Sequence, residues 1–253
     1  VDPSITVNSI RDGQLVEKGA VRLDGYINQF GTVQMGRLAD GIQGVYIDAL
    51  KDANTTITEL VYWDHGRLNA PFYDTSKNIT SATARSSGMA ARDIDADGRV
   101  EIPLCNRLPG YYETADPKET MWLTGWYDWD YAAQTAKLKF NTVLNLADGY
   151  YVRIDDSWKE RFTTLYTEAD RTLWFKPMEN GQIGEPFIRI YKDNESVSED
   201  PDKKFEPFGS SGHGSGMGYT ESVQYAFWFD QDNAYGLTSR EAVQVIVTRL
   251  LFQ

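Results

Sequence analysis

The sequence is poor in the residues that most often carry chemistry. Its 253 residues hold one cysteine and two histidines. A lone Cys105 excludes an intrachain disulfide framework and any cysteine-built metal cage. His65 and His213 are too few for a zinc site made of several imidazoles. Apolar runs fall far short of the roughly 20 residues that a membrane helix needs, so no membrane span is expected. Positive charge is scarce as well: 25 Lys and Arg face 37 Asp and Glu, a formal net charge of −12. Nucleic acid is excluded as an expected partner, because phosphate binding draws on clustered Lys and Arg. The nucleophile elbow G-x-S-x-G, the phosphate-binding P-loop and the H-E-x-x-H zinc helix are all missing. No basic, apolar leader opens the chain at Val1-Asp2-Pro3. That start reads as an interior cut, with any export signal removed.

What is present is material for β-structure. Apolar residues at 41% and aromatics at 13% suit a folded chain. Residues 36–46 align with residues 93–103, which sets Asp40-Gly41 on Asp97-Gly98, 57 positions on, with an apolar run after each. Arg11-Asp12-Gly13-Gln14-Leu15 likewise resembles Asp64-His65-Gly66-Arg67-Leu68. In each the glycine permits a positive-φ hairpin turn. The aromatic segment 122–129 takes the strand role of residues 59–63 one unit later. A period in the fifties with short alternating strands suits propeller blades; a single antiparallel sheet with two similar hairpins is the alternative.

Residues 1–139 are therefore expected to form a partial β-propeller of two to three blade equivalents. A ring takes about four to eight blades, so missing N-terminal blades or a second chain would have to close it. Beyond residue 140 the pattern shifts to a small α+β domain over 140–253, giving a mainly β fold. Strands are expected at 149–155, 162–166, 172–176, 186–192 and 223–229, as an antiparallel sheet. A C-terminal helix should follow, with Thr238 as N-cap, Glu241 completing a capping box, and Ala242, Val243, Ile246 and Leu250 on one face. Residues 194–219, rich in charge and then in Gly and Ser around His213, read as a mobile loop.

The segment Asp93-Ile94-Asp95-Ala96-Asp97-Gly98-Arg99-Val100-Glu101-Ile102 resembles the FG-GAP, or VCBS-type, repeat of integrin-like β-propellers. Leu23-Asp24-Gly25-Tyr26, Leu108-Pro109-Gly110-Tyr111, Asp148-Gly149-Tyr150-Tyr151 and Ser157-Trp158-Lys159 are similar to segments of exported proteins of Gram-positive anaerobic bacteria. The resemblance implies an extracellular or cell-surface protein, with a lipid anchor as one form of attachment. It also implies calcium. In such a loop Asp93, Asp95 and Asp97 offer side-chain oxygens, Gly98 makes the turn, Arg99 gives its backbone carbonyl, and Glu101 closes the shell.

The chemistry of the loop is consistent with that set, since calcium takes about six to eight oxygens and alternating carboxylates on a tight turn can converge on one ion. A solvated Asx-type turn without metal is the alternative. An EF-hand is excluded, because Leu104 stands where the closing Glu belongs.

Other candidates are weaker. Trp122, Trp126 and Trp129 with Tyr127 and Tyr131 suit either an aromatic platform for sugars or the filling between sheets. Cys105, within Ile102-Pro103-Leu104-Cys105, reads as a buried, inert thiol, and a Cys105/His65 nucleophile pair lacks an activating neighbour. The expected function is that of an extracytoplasmic, non-catalytic binding or structural module with a protein or glycan ligand. A glycan-acting hydrolase using a carboxylate pair is the alternative.

Overall fold

The computed structural model describes residues 3–86, 89–109, 121–192, 206–211, 223–230, 232–237, 239, 242 and 246–249. The protein is mainly β. Its strands begin with β1 (Ser4–Arg11), β2 (Gln14–Arg22), β3 (Gln29–Ala39), β4 (Ile42–Leu50), β5 (Thr56–Asp64), β6 (Arg67–Asn69), β7 (Tyr73–Asp74) and β8 (Ile79–Thr80). They continue with β9 (Ile102–Arg107), β10 (Trp122–Asp130), β11 (Thr135–Asn145), β12 (Tyr150–Ile154), β13 (Phe162–Thr167) and β14 (Thr172–Glu179). The last five are β15 (Gln182–Ile183), β16 (Ile188–Lys192), β17 (Glu206–Ser211), β18 (Val223–Phe229) and β19 (Val247–Arg249).

The chain divides into two compact units, one of Val1–Cys105 with Gly125–Phe140 and one of Asn106–Thr124 with Asn141–Gln253. In the first, β1 and β2 form a hairpin, and β3, β4, β5 and β6 form a four-stranded sheet in chain order. The turns follow from local chemistry. Asp12-Gly13 and His65-Gly66 both hold positive φ at both residues, the geometry a two-residue hairpin turn requires. The central strands β4 and β5 are buried along most of their length. Leu38, Tyr46, Leu60, Tyr62, Phe72, Ile102 and Trp129 pack into one core, and Leu23, Ile47 and Val61 into a second.

In the second unit the order β13-β14-β16-β18-β17 makes an antiparallel sheet, with β15 paired to β14. Asn180-Gly181 turns β14 into β15, again with positive φ at both residues. The five strands expected beyond residue 140 appear as β12, β13, β14, β16 and β18, but β12 pairs with β11 and β19 in another sheet rather than joining the other four. The core holds Phe162, Phe175, Phe187, Ile188, Ile190 and Phe227 around Trp158. A sheet in the order β19-β12-β11-β10-β9 completes the topology.

The expected C-terminal helix is not found among the described residues, of which only Ala242 and Ile246 are helical in this stretch. Among the described residues no helix reaches even two turns, and Val247–Arg249 is strand β19, paired antiparallel with Tyr150–Val152 of β12. Ser239 Oγ does accept the Ala242 N–H at 3.2 Å, a helix-start bond one residue past the expected cap. Thr238, Glu241, Val243 and Leu250 lie outside the described residues. The physical reason is composition. Val247 and Thr248 are β-branched, restrict χ1 in a helix, and fit a pleated sheet edge. Within the segment expected as a mobile loop, Glu206–Ser211 forms strand β17 against β18. His213 and the rest of that segment lie outside the described residues.

Candidate functional site

The acidic loop is held in place by the first unit's own sheet. Arg37 N–H on β3 donates to the Gly98 carbonyl at 3.0 Å, and Gln34 Nε2 to the Ala91 carbonyl at 2.9 Å. Gly36 lets the loop come close, since a Cβ there would stand 2.9 Å from Val100 N. An antiparallel bridge between Arg92 and Glu101 closes the loop's base.

Inside it each carboxylate has defined partners. Asp93 accepts from the N–H of Asp97 at 3.1 Å and of Gly98 at 2.8 Å, and Asp97 Oδ1 from the N–H of Arg99 at 2.9 Å. Glu101 Oε2 accepts from Ile94 N–H at 3.1 Å. Gly98 sits at φ 84°, which makes the turn.

Asp93, Asp95 and Glu101 bring one oxygen each within 4.8 Å of one another, so the acidic residues do converge. A residue that sequence reasoning did not single out meets them. Lys139 of β11 sends its ammonium to Asp95 Oδ1 at 2.8 Å, Asp97 Oδ2 at 2.7 Å and Glu101 Oε1 at 3.0 Å. Burial opposes the ammonium, but these three carboxylates outweigh it and hold the Lys139 pKa above its ordinary value. Glu101 is fully buried, and burial pushes its pKa up to about 7 against the pull of Ile94 N–H and Lys139. In number and kind the oxygens suit a hard cation. The place at which Asp95, Asp97 and Glu101 converge is taken by Nζ. Arg99 turns its guanidinium toward Asp128, 3.9 Å away.

Other buried acids are tied into the fold. Asp48 pairs with Arg85 at 2.8 Å and also accepts from Thr58 Oγ1 and Ala91 N–H. Asp24 takes Lys51 Nζ at 2.8 Å and Thr80 N–H at 2.7 Å, and its own N–H donates to Glu59 Oε1 at 2.8 Å. Asp148 gathers Asn145, Tyr166 and Arg171.

Burial raises the Glu59 pKa above its ordinary 4.5, while the Asp24 N–H and Thr80 hydroxyl pull the other way. A carboxyl that holds its proton more tightly when folded adds stability below the unfolded value, and that stability is lost as pH rises through the folded one. Glu59→Gln, which keeps the acceptor and removes the charge, should flatten this decline. Urea unfolding at a series of pH values checks it, and an unchanged slope would refute the assignment.

The second unit carries a cleft of about 420 Å³ lined by Glu179, Glu185, Asp230 and Asp232, with Ile183 on its wall and Phe187 and Tyr235 behind. Those two rings stack at 3.9 Å, 9° from parallel, and the Tyr235 hydroxyl donates to the Arg161 carbonyl. The four carboxylates are exposed, and among the described residues no Lys or Arg lines the cleft, the Arg161 guanidinium lying 5.6 Å from the centre of the Tyr235 ring. Nothing local in the sequence signals it, because its walls come from two separated stretches.

The remaining candidates resolve simply. Trp126 and Trp129 are buried, the latter edge-on to Phe72 at 5.3 Å, so they serve packing. Tyr131 donates to Asp64 at 2.6 Å, and Trp122 lies against Arg107. Cys105 is half-buried rather than fully enclosed. His65 is exposed at a hairpin tip, with Nδ1 2.6 Å from Asp64. The chain matches no protein-family model, no curated protein and no solved structure.

Proposed function

We propose that the chain is a non-catalytic binding module of an extracytoplasmic protein, and that the cleft of the second unit receives basic side chains of a protein partner. The observation that carries this reading is the cleft's composition. Four carboxylates with no cation among the described lining residues set up a negative field that focuses on a positively charged ligand. Ile183, about half exposed, offers apolar contact for the methylene stem of a Lys or Arg.

The extracytoplasmic setting draws on the sequence resemblance. So does the reading of the four-stranded sheet β3–β6 as one blade of a partial propeller. The buried acids support the non-catalytic part. Glu59 and Glu101, whose pKa values are raised, are fully enclosed and bonded within the fold, out of reach of a substrate.

Titration calorimetry with a lysine-rich peptide tests the reading. Binding should weaken steeply with salt, and the double substitution Glu185→Gln/Asp232→Asn should weaken it about tenfold, on the order of 1.4 kcal/mol. Equal affinity for wild type and variant would defeat it. The same carboxylates favour a second reading, a glycan-acting hydrolase, since that chemistry needs two acids in an open cleft. Release of reducing ends from a neutral oligosaccharide, lost in Asp230→Asn, would decide for the hydrolase.

A further inference from the structure

We propose that Lys139 is the resident cation of the acidic loop, a tethered ammonium standing where the loops it resembles hold calcium. An acidic cluster alone would say little. Here the second observation is the ammonium itself. A lysine ammonium has three N–H donors and no acceptor, and Lys139 places one on each of Asp95, Asp97 and Glu101 at 2.7–3.0 Å.

Those distances are those of charge-assisted hydrogen bonds, longer than the roughly 2.3–2.6 Å of calcium to oxygen. The other oxygens of Asp97 and Glu101 are held by main-chain N–H groups, as are both oxygens of Asp93. The carboxylates are thus oriented by the loop's backbone and neutralised from β11. A divalent ion entering the same place has to expel Lys139, because a like charge a few ångströms away is repelled.

The loop therefore stays closed without metal, and the lysine decides its selectivity. Removal of the ammonium should expose the three carboxylates that converge on it, Asp95, Asp97 and Glu101, to a hard cation. Lys139→Met keeps an unbranched side chain one atom shorter and deletes the charge, whereas Lys139→Arg keeps the charge.

The test measures melting temperature and calcium binding by calorimetry, each with calcium chloride and with chelator. Wild type should melt at the same temperature in both and give no heat of binding. Lys139→Met should melt roughly 5–10 °C lower in chelator and recover in millimolar calcium. Its new binding should vanish in Lys139→Met/Asp95→Asn, which separates this site from diffuse binding by an acidic surface. A wild-type protein that binds calcium and melts higher with it overturns the proposal, and that arm stands even if the variant fails to fold. A folded Lys139→Met that gains no calcium binding overturns it too. Protection of the Lys139 ammonium protons from exchange in nitrogen NMR of the wild type would support it, and rapid exchange would count against it.

Discussion

Arg85→Met is expected to lower the unfolding free energy by about 3–5 kcal/mol, since breaking one side of a buried ion pair strands the other charge. The Arg85 side chain has no exposed surface, and its guanidinium uses Nε on the Met89 carbonyl, Nη1 on Thr58 and the Thr83 carbonyl, and Nη2 on Asp48. Burial draws the guanidinium pKa below its ordinary value, and Asp48 pulls it back. Without Arg85, Asp48 is left in the interior with Thr58 Oγ1 and the Ala91 N–H as its donors among the described residues.

That loss is a large share of the roughly 5–15 kcal/mol by which a domain is stable. The double variant Arg85→Met/Asp48→Asn leaves no buried charge and should regain a substantial part of the loss. Urea denaturation followed by circular dichroism gives both numbers. A loss below about 1 kcal/mol, the range of a solvent-screened pair, would mean that water reaches the site.

The sequence made the turns and strands readable because their causes are local. A dipeptide such as Asp12-Gly13 or Asn180-Gly181 carries its own backbone preference, and the structure gives both residues of each positive φ. Strands β13, β14 and β18 lie where apolar and aromatic residues cluster between Asp, Asn and Gly.

The C-terminus misled for a physical reason. A helical face and a β-branched strand are both apolar, and the competing partner, β12, lies nearly a hundred residues earlier in the chain. Periodicity has no access to that edge.

The acidic loop was legible as a group of converging carboxylates, but its cation was not. Lys139 stands 38 residues from Glu101 on a different strand, and nothing in a sequence window links them. Asp48 and Glu59 were equally hidden, because a carboxylate in a strand reads as a solvent-facing residue until its partners are known.

Within Ser157-Trp158-Lys159 the indole of Trp158 is buried in the core, and its substitution couples that core to the cleft. Asp155 caps the short 3-10 helix of Asp156–Trp158 by accepting the Ser157 N–H at 2.9 Å, which fixes the direction in which Trp158 enters the core. The indole meets Phe162, Phe187 and Tyr235 edge-on at 6.2, 5.7 and 5.4 Å, and its Nε1–H donates to the Tyr235 carbonyl at 3.2 Å.

Trp158→Ala should therefore cost about 3–5 kcal/mol, from lost burial plus the cavity left behind. Trp158→Phe should cost less, keeping a ring and losing the N–H bond. Because Phe187 and Tyr235 also back the acidic cleft, the alanine variant should bind the lysine-rich peptide more weakly, although every carboxylate in the cleft is intact. Loss of stability with unchanged peptide affinity would mean that the cleft is shaped by its rim alone. An unchanged unfolding midpoint in urea would remove Trp158 from the centre of this core.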